Sequence, residues 1–515
     1  MALLLGTDIG AQSLKVAIFD EEGSPVAFEQ REYPVQRPRP GWAEGKPEAW
    51  WEAFCGAVMA AIERNGLRSE EVESIGISTM CPALVAMDEE GNSIRPSILY
   101  LDQRSLPQAR RIQEEVGLDR VFELTGNRVA PGTYSVTSML WIKENEPHIF
   151  DRIRYFGHGN TFLAHRLTRQ FAFDWTNASL TGLFHTGTSR SWSQELCDHL
   201  QIPMELLPQP VLSSTRVGAL TKEASSATGL SEGIPVAIGG ADTACSALGA
   251  GVTEPGQAFE TSGTSDVLSF CTAQPAFDIR FMNRCHVIAD RWLLMGAMLS
   301  PGAALSWFRD QFCLPEKEAA HQIGLSPYRI MDLEAESSPP GANGVLFLPY
   351  MGGERSPIWD PLAKGVFIGL SLDTTRGDLI RSILEGTAHG LRQNLEIAEK
   401  SLSFKVEELR IVGGGSKSEI WSQIKSDILK RPISVLNRQE TAALGAAMLG
   451  GLASGRFADS REALSMASAR PFRVFSPHSD VSALYDQMYF SYLALYPRLK
   501  DIFEQIWKIR QPSPP

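Results

Sequence analysis

Two stretches of this chain echo each other, and the echo limits the fold more than any other feature. LLLGTDIGAQSLKVAIFD (residues 3–20) and AFETSGTSDVLSF (residues 258–270) each read as an apolar strand, a tight polar turn and a second apolar strand. Such a turn, built here around Gly10 or Gly263, leaves backbone N–H groups pointing into one small volume that attracts phosphate oxygens. One hairpin near the start of each half suggests two similar domains facing each other across a nucleotide.

The chain has 515 residues, room for two or more domains, and a net charge of −12. That acidity argues against nonspecific binding to nucleic acid or to anionic membranes, which reward excess Lys and Arg. The seven cysteines are scattered and odd in number, without paired zinc spacing, a pattern expected of reduced, buried thiols in a cytoplasmic protein. MALLLG lacks a basic start and runs into Asp8, so it does not read as a signal peptide. No apolar run approaches the ~20 residues that span a bilayer.

The tail of the proline-rich stretch at residues 33–51 predicts the opening of a helix that runs to about Asn65, residues 72–80 predict a buried strand, and residues 106–116 and 135–144 further helices. GIPVAIGGADTACSALGAG (residues 233–251) is a strand, a double glycine and a helix of very small residues. The second half repeats the device with VEELRIVGGGSKSEIWSQI (residues 406–424) and the small-residue helix TAALGAAMLGGLASG (residues 441–455). The two small helices are expected to cross at the domain junction as a hinge. Alternating strands and helices, with a hairpin first in each half, favour α/β layers with mixed sheets. GxxxxGK[ST] and GxGxxG are both absent, leaving hairpins and glycine turns to hold phosphates.

These residues resemble the FGGY carbohydrate kinases of the actin-like ATPase superfamily. GVFIGLSLDTTRGDLIRSILE (residues 365–385) is the most specific stretch, and GGERSPIWDP (residues 352–361) is also similar to the family. Within the family the run is most similar to the xylulose kinases, through PGWAEGKPEAWW, RPSILYLDQR (residues 95–104) and GGADTACSALGAG. The resemblance implies two ribonuclease H-like domains with the active site in the cleft between them. Residues 1–251 would form the sugar-binding N-terminal domain, 252–475 the nucleotide-binding C-terminal domain, and 476–515 a helical extension. Family members are often dimers, but no segment here declares a homodimer interface.

Asp242 follows a strand and the Gly239–Gly240 pair at the mouth of the small-residue helix. An aspartate with a pKa of about 3.9 is too weak to strip a free alcohol, yet it can accept the proton late, as an O–P bond forms. An N-cap aspartate is the other reading of this position, and the resemblance favours the general base. Asp8 in the first turn corresponds to a residue near the phosphates and the metal; Mg²⁺ keeps several waters, so Asp8 would act through one. The alternative is a turn-forming aspartate.

For the nucleotide, ATP, the resemblance points to Gly10, Gln12 and Ser13 in the first turn and Gly263 and Thr264 in the second. It adds Gly302 and Ser306 in SPGAALSWF and the pair Gly414–Gly415. Ala11 and Gln12 replace small hydroxyl residues common in the family, and Lys15 suits a solvated face as well as a phosphate. For the sugar, Cys81 and Pro82 fall where xylulose kinases carry Met-His. Thr243 flanks the base, and Asp102 and Arg104 could bind a polyol or form a weak surface pair. Tyr134 and Trp42 could wall the pocket or lie in the core. The resulting expectation is an enzyme that phosphorylates a small open-chain sugar from MgATP, D-xylulose first, with another ketopentose, a tetritol or a sugar acid as alternatives. An actin-like ATPase switch or scaffold is the reading from a different class.

Overall fold

The computed structural model describes residues 2–436, 440–467 and 471–510. The chain divides into two compact units, one of Met1–Pro255, Cys271–Leu293 and Glu440–Ala469 and the other of Gly256–Phe270, Leu294–Gln439 and Arg470–Pro515. The boundaries 1–251, 252–475 and 476–515 follow chain order, whereas these units are discontinuous: two later segments pack with the first. Residues 511–515 of the expected extension lie outside the described residues.

The first unit is built on a seven-stranded sheet. Its strands are β1 (Leu3–Ile9), β2 (Ser13–Phe19), β3 (Pro25–Glu32), β4 (Val72–Thr79), β5 (Arg216–Ala219), β6 (Pro235–Ala237) and β7 (Gly240–Ala241). The order is β5-β6-β4-β1-β2-β3, with β7 also pairing β4. β1 and β2 form the expected antiparallel hairpin, and β1, β6 and β7 run parallel to β4. β1 is apolar almost throughout because both faces of the sheet are covered. The helix Pro47–Asn65, with proline in its first turn and a left-handed Gly66 at its end, buries Trp50, Phe54 and Val58 in the core beneath the sheet.

The small-residue helix Thr441–Ser454 lies directly on this sheet. A Cβ on Gly6 would fall 1.8 Å from the Ala443 carbonyl oxygen, and one on Gly76 1.8 Å from that of Ala446. The helix Asp242–Gly249 crosses it equally closely: a Cβ on Gly445 would meet the Cys245 carbonyl oxygen at 2.0 Å, and one on Gly249 that of Thr441 at 2.1 Å. The crossing predicted from composition is present, but both helices belong to one compact unit, so they brace it and do not form a junction.

The second unit repeats the plan. β8 (Ala258–Ser262) and β9 (Asp266–Thr272) form its hairpin, joined by β10 (Trp292–Met298), β11 (Leu409–Val412), β12 (Ile433–Leu436) and β13 (Pro471–Phe475). The order β10-β9-β8-β11-β12-β13 matches that of the first unit. β11 is parallel to β8 and β12, and β13 is antiparallel to β12. The fold is thus α/β with two ribonuclease H-like domains. The helix Arg376–Leu402 is held at its start by a capping box of Thr375 and Asp378. The terminal helix Ser482–Arg510 buries Tyr489, Tyr492 and Phe503 against Leu348 and Tyr350.

Candidate active site

Strand register brings the carboxylates of the first unit together. Asp8 on β1 lies level with Ser78 on β4, and Gly240 on β7 lies level with the same Ser78. Asp242, two residues beyond Gly240, therefore emerges beside Asp8 at the C-terminal ends of parallel strands, where ligands of α/β sheets bind. Gly239 makes this possible: at φ +70°, a Cβ there would sit 1.6 Å from the Ile77 carbonyl oxygen.

Ser78 Oγ donates to Asp8 Oδ1 at 2.7 Å. The Asp8 side chain is only partly exposed, and its surroundings push its pKa up to about 6, chiefly by desolvation and then by the charge of Asp242. Asp242 is also held above the usual carboxylate range by burial, opposed first by the Arg284 guanidinium and then by hydrogen bonds from Thr243. Thr243 N–H and Oγ1–H donate to Asp242 Oδ1 at 2.7 and 3.2 Å. Asp242 is not an N-cap; Ala241 is the cap residue and makes no side-chain cap bond. Two recessed carboxylates, the charge of Asp242 raising the pKa of Asp8, form an anionic site suited to Mg²⁺, which takes one or two carboxylates, water and substrate phosphates. Asp8 is the residue that would hold it.

Cys81 is partly exposed, and its Sγ lies 3.9 Å from His158 Nδ1. His158 is fully buried between Asn177 Oδ1 at 2.9 Å and Ser135 Oγ at 2.7 Å. Burial pushes its pKa down to about 4, so it stays neutral. Pro82 is buried behind Cys81. The remaining six cysteines are buried, and none of the seven is paired.

Asp102 and Arg104 are neither a surface pair nor a free polyol site. They are 1 % and 8 % exposed. Asp102 Oδ1 accepts from Arg104 N and Nε, and Oδ2 from Arg104 Nη2 and Ala43 N. Those four donors fill the acceptor positions of the carboxylate. Arg104 continues to Glu44 at 2.8 Å and stacks 3.6 Å over the Trp42 ring. Trp42 packs edge-on against Trp141, and Tyr134 is fully buried with its hydroxyl donating to Asn127 Oδ1. This group orders the segment that leads into the short strand Glu44–Gly45.

In the first turn Gly10 N–H donates to the Ser13 carbonyl oxygen at 2.9 Å, and the exposed Gln12 accepts from Tyr33 N–H through its own carbonyl. Tyr33 Oη–H donates to the Gly10 carbonyl oxygen at 2.7 Å. Lys15 pairs with Glu440 at 2.8 Å.

In the second unit, Gly263 N–H is shared between the Ser265 carbonyl oxygen and Asp266 Oδ1 at 3.1 Å. Thr264 accepts from Ala303 N–H through its carbonyl. A Cβ on Gly302 would lie 2.0 Å from the Gly263 carbonyl oxygen, so the helix Pro301–Phe312 starts against the turn. Ser306 Oγ–H donates to the Gly302 carbonyl oxygen, and its oxygen lies 2.8 Å from Tyr328 Oη, an internal engagement rather than an open one. Gly414 and Gly415 open a turn after β11, and a Cβ on Gly414 would meet nothing within 4 Å. The second unit thus pairs a glycine turn with an open glycine surface.

Sequence reading missed Arg284, His158, Ser78 and Lys425, which carry no motif and reach these sites only through the fold.

A duplicated ribonuclease H-like topology with carboxylates at the strand ends suits an enzyme that works on phosphoryl groups. Residues 3–249 match the N-terminal domain of the FGGY family of carbohydrate kinases, and residues 258–454 its C-terminal domain. The chain belongs to this family and is a sugar kinase. It is 30 % identical to the xylulose kinase of Bacillus subtilis (strain 168), across 98 % of both chains. It is 28 % identical to the gluconokinase of the same organism, across 98 % of this chain and 97 % of that one. A crystal structure of a xyloylose kinase from Brucella ovis superposes with a TM-score of 0.86 at 31 % identity, covering 97 % of this chain and all of that one. No helix among the described residues is long and apolar enough to cross a membrane.

Proposed function

We propose that this chain transfers the γ-phosphoryl group of MgATP to a hydroxyl of a small open-chain sugar, with D-xylulose, the sugar named by its relatives, as the first substrate to try. The observation that carries the reading is the placement of Asp242: partly exposed, emerging two residues beyond the level of Asp8, and bonded among the described residues only to its neighbour Thr243.

In this reading the sugar hydroxyl oxygen attacks the γ-phosphorus. Its O–P bond forms while the bond from γ-phosphorus to the bridging oxygen breaks, and ADP leaves with that electron pair. Asp242 takes the hydroxyl proton and returns it to solvent. Burial raises its pKa above that of a free aspartate, which makes it a stronger base. Mg²⁺, held by Asp8 through water, would neutralise the developing charge on the phosphate oxygens. Nucleotide contacts from the Gly263–Thr264 turn, Gly302 and Gly414–Gly415, and phosphate contacts from Gly10, Gln12 and Ser13, belong to the same reading. A cytoplasmic location belongs to the same reading, supported by the unpaired thiols.

The test is sugar-dependent ADP release with MgATP across ketoses, alditols and sugar acids. The expected result is stimulation by one class of sugar well above the sugar-free rate. Hydrolysis that no sugar stimulates would instead support the actin-like ATPase switch.

A further inference from the structure

Arg284 sits on the strand Met282–Cys285, every residue of which is buried. It is among the largest fully enclosed side chains of the molecule, at 2 % exposure. Two of its guanidinium nitrogens, Nε and Nη1, have no hydrogen-bond partner. The guanidinium acts electrostatically on Cys81, Asp242 and His158, which line the same region of the first unit. All four residues belong to the first unit, and Cys81 and Asp242 are partly exposed.

Arginine cannot shed its proton to relieve this burial. A buried cation with empty donors is costly unless an anion and its lone pairs arrive. The nearby carboxylates do not supply them. Asp174 is engaged by Thr176, Asn177 and Asn160. Asp8 is bonded to Ser78, and Asp242 to Thr243. Among the described residues neither Asp242 nor Asp174 forms an ion pair with Arg284 within 4 Å. His158 is neutral and already bonded at both ring nitrogens. Asp242 offsets part of the charge from a distance but reaches neither empty donor; a hydroxyl or ketone would fill one donor, whereas a carboxylate brings charge and paired acceptors together.

We propose that Arg284 receives a carboxylate, so that the preferred substrate is an open-chain sugar acid whose carboxyl end lies at Arg284 and Cys81 while a distal hydroxyl reaches Asp242. This rests on the kinase reading above and names its substrate class. Arg284 is then the residue that sets specificity.

The experiment compares D-xylulose, D-ribulose, xylitol, D-xylonate and D-gluconate as acceptors with MgATP, beside calorimetric binding of the two acids to the nucleotide-free protein. The expected result is that an acid binds without nucleotide and exceeds every neutral sugar in kcat/KM. Arg284→Gln should then lower the ratio of acid to ketose kcat/KM by about 100-fold or more, mainly through KM, the scale expected when one member of a buried charge pair is removed. Arg284→Lys should recover part of the ratio, because charge returns without the planar fork. Neutral sugars phosphorylated at least tenfold better than either acid, with no acid bound, would overturn the assignment and leave the kinase reading intact. Turnover of no sugar at all would overturn the kinase reading, and acid binding to the wild-type protein would still report on Arg284. Should Arg284→Gln fail to fold, the wild-type acceptor series and calorimetry decide alone.

Discussion

In the first hairpin, Asp8 stands opposite Lys15 across the ladder, yet the lysine ammonium turns to Glu440 on a partly exposed surface. In the second, Lys425 is 2 % exposed and reaches Glu260, Ser262 and Asp266 at once. The shared backbone plan therefore carries two different electrostatic states. The first hairpin leaves a recessed carboxylate open to a cation, next to a second one. The second closes its charges internally and offers glycine backbone. A duplicated fold can thus divide work: one copy keeps unpaired charge for chemistry, and the other uses paired charge to fix the shape of a turn.

The sharpest way to break this comparison is to neutralise the open carboxylates. Asp242→Asn should lower kcat by about 10³-fold, within the range for a lost general base, while nucleotide binding measured by fluorescence titration is retained. Near-normal kcat would remove Asp242 from the chemistry.

Stability should divide the other way. Lys425→Met leaves Glu260 and Asp266 buried without a cation and should cost about 3–5 kcal/mol, whereas Lys15→Met should cost less than about 1 kcal/mol. Urea unfolding of both variants reads the difference directly, and equal losses would contradict it.

Gly302→Ala places a methyl group against the Gly263 carbonyl oxygen and should raise the KM for ATP about tenfold, a scale set by one lost backbone contact to a charged ligand. An unchanged KM would show that this turn does not shape the nucleotide site.

The smallest effect is a pH slope. Because the Asp8 pKa is raised from 3.8 to about 6 in the folded protein, the native state binds more protons than the unfolded state between those values. Its contribution to stability is therefore favourable at low pH and is lost as pH rises from about 4 to about 6. Asp8→Asn should flatten that part of the Tm profile in metal-free buffer. A slope identical to wild type would place the titration elsewhere.

Much of this was legible in the residues. The paired hairpins, the helix Pro47–Asn65 and the close crossing of the two small-residue helices follow from apolar periodicity and from runs of Gly and Ala. Asp242 announced itself by the glycines that precede it. The partners of these groups did not. Ser78 meets Asp8 across 70 positions of sequence, and Lys425 meets Glu260 across 165. Arg284 reads locally as one polar residue in a strand of mixed character, and nothing in MNRC says that it is enclosed. Asp102 and Arg104 looked like a surface pair because spacing carries no information about the Trp42 ring that covers them. The discontinuity of the first unit escaped for the same reason: periodicity identifies a helix, while the sheet it lands on is a matter of tertiary packing.

The seating of Thr441–Ser454 on β1 and β4 has a consequence for biosynthesis. Hundreds of residues leave the ribosome before the segment that roofs the opening strands, so the nascent amino-terminal portion must wait with a glycine-floored trough uncovered. Translation arrested before that segment would release a polypeptide unable to close its own sheet, a natural client for chaperones and proteases.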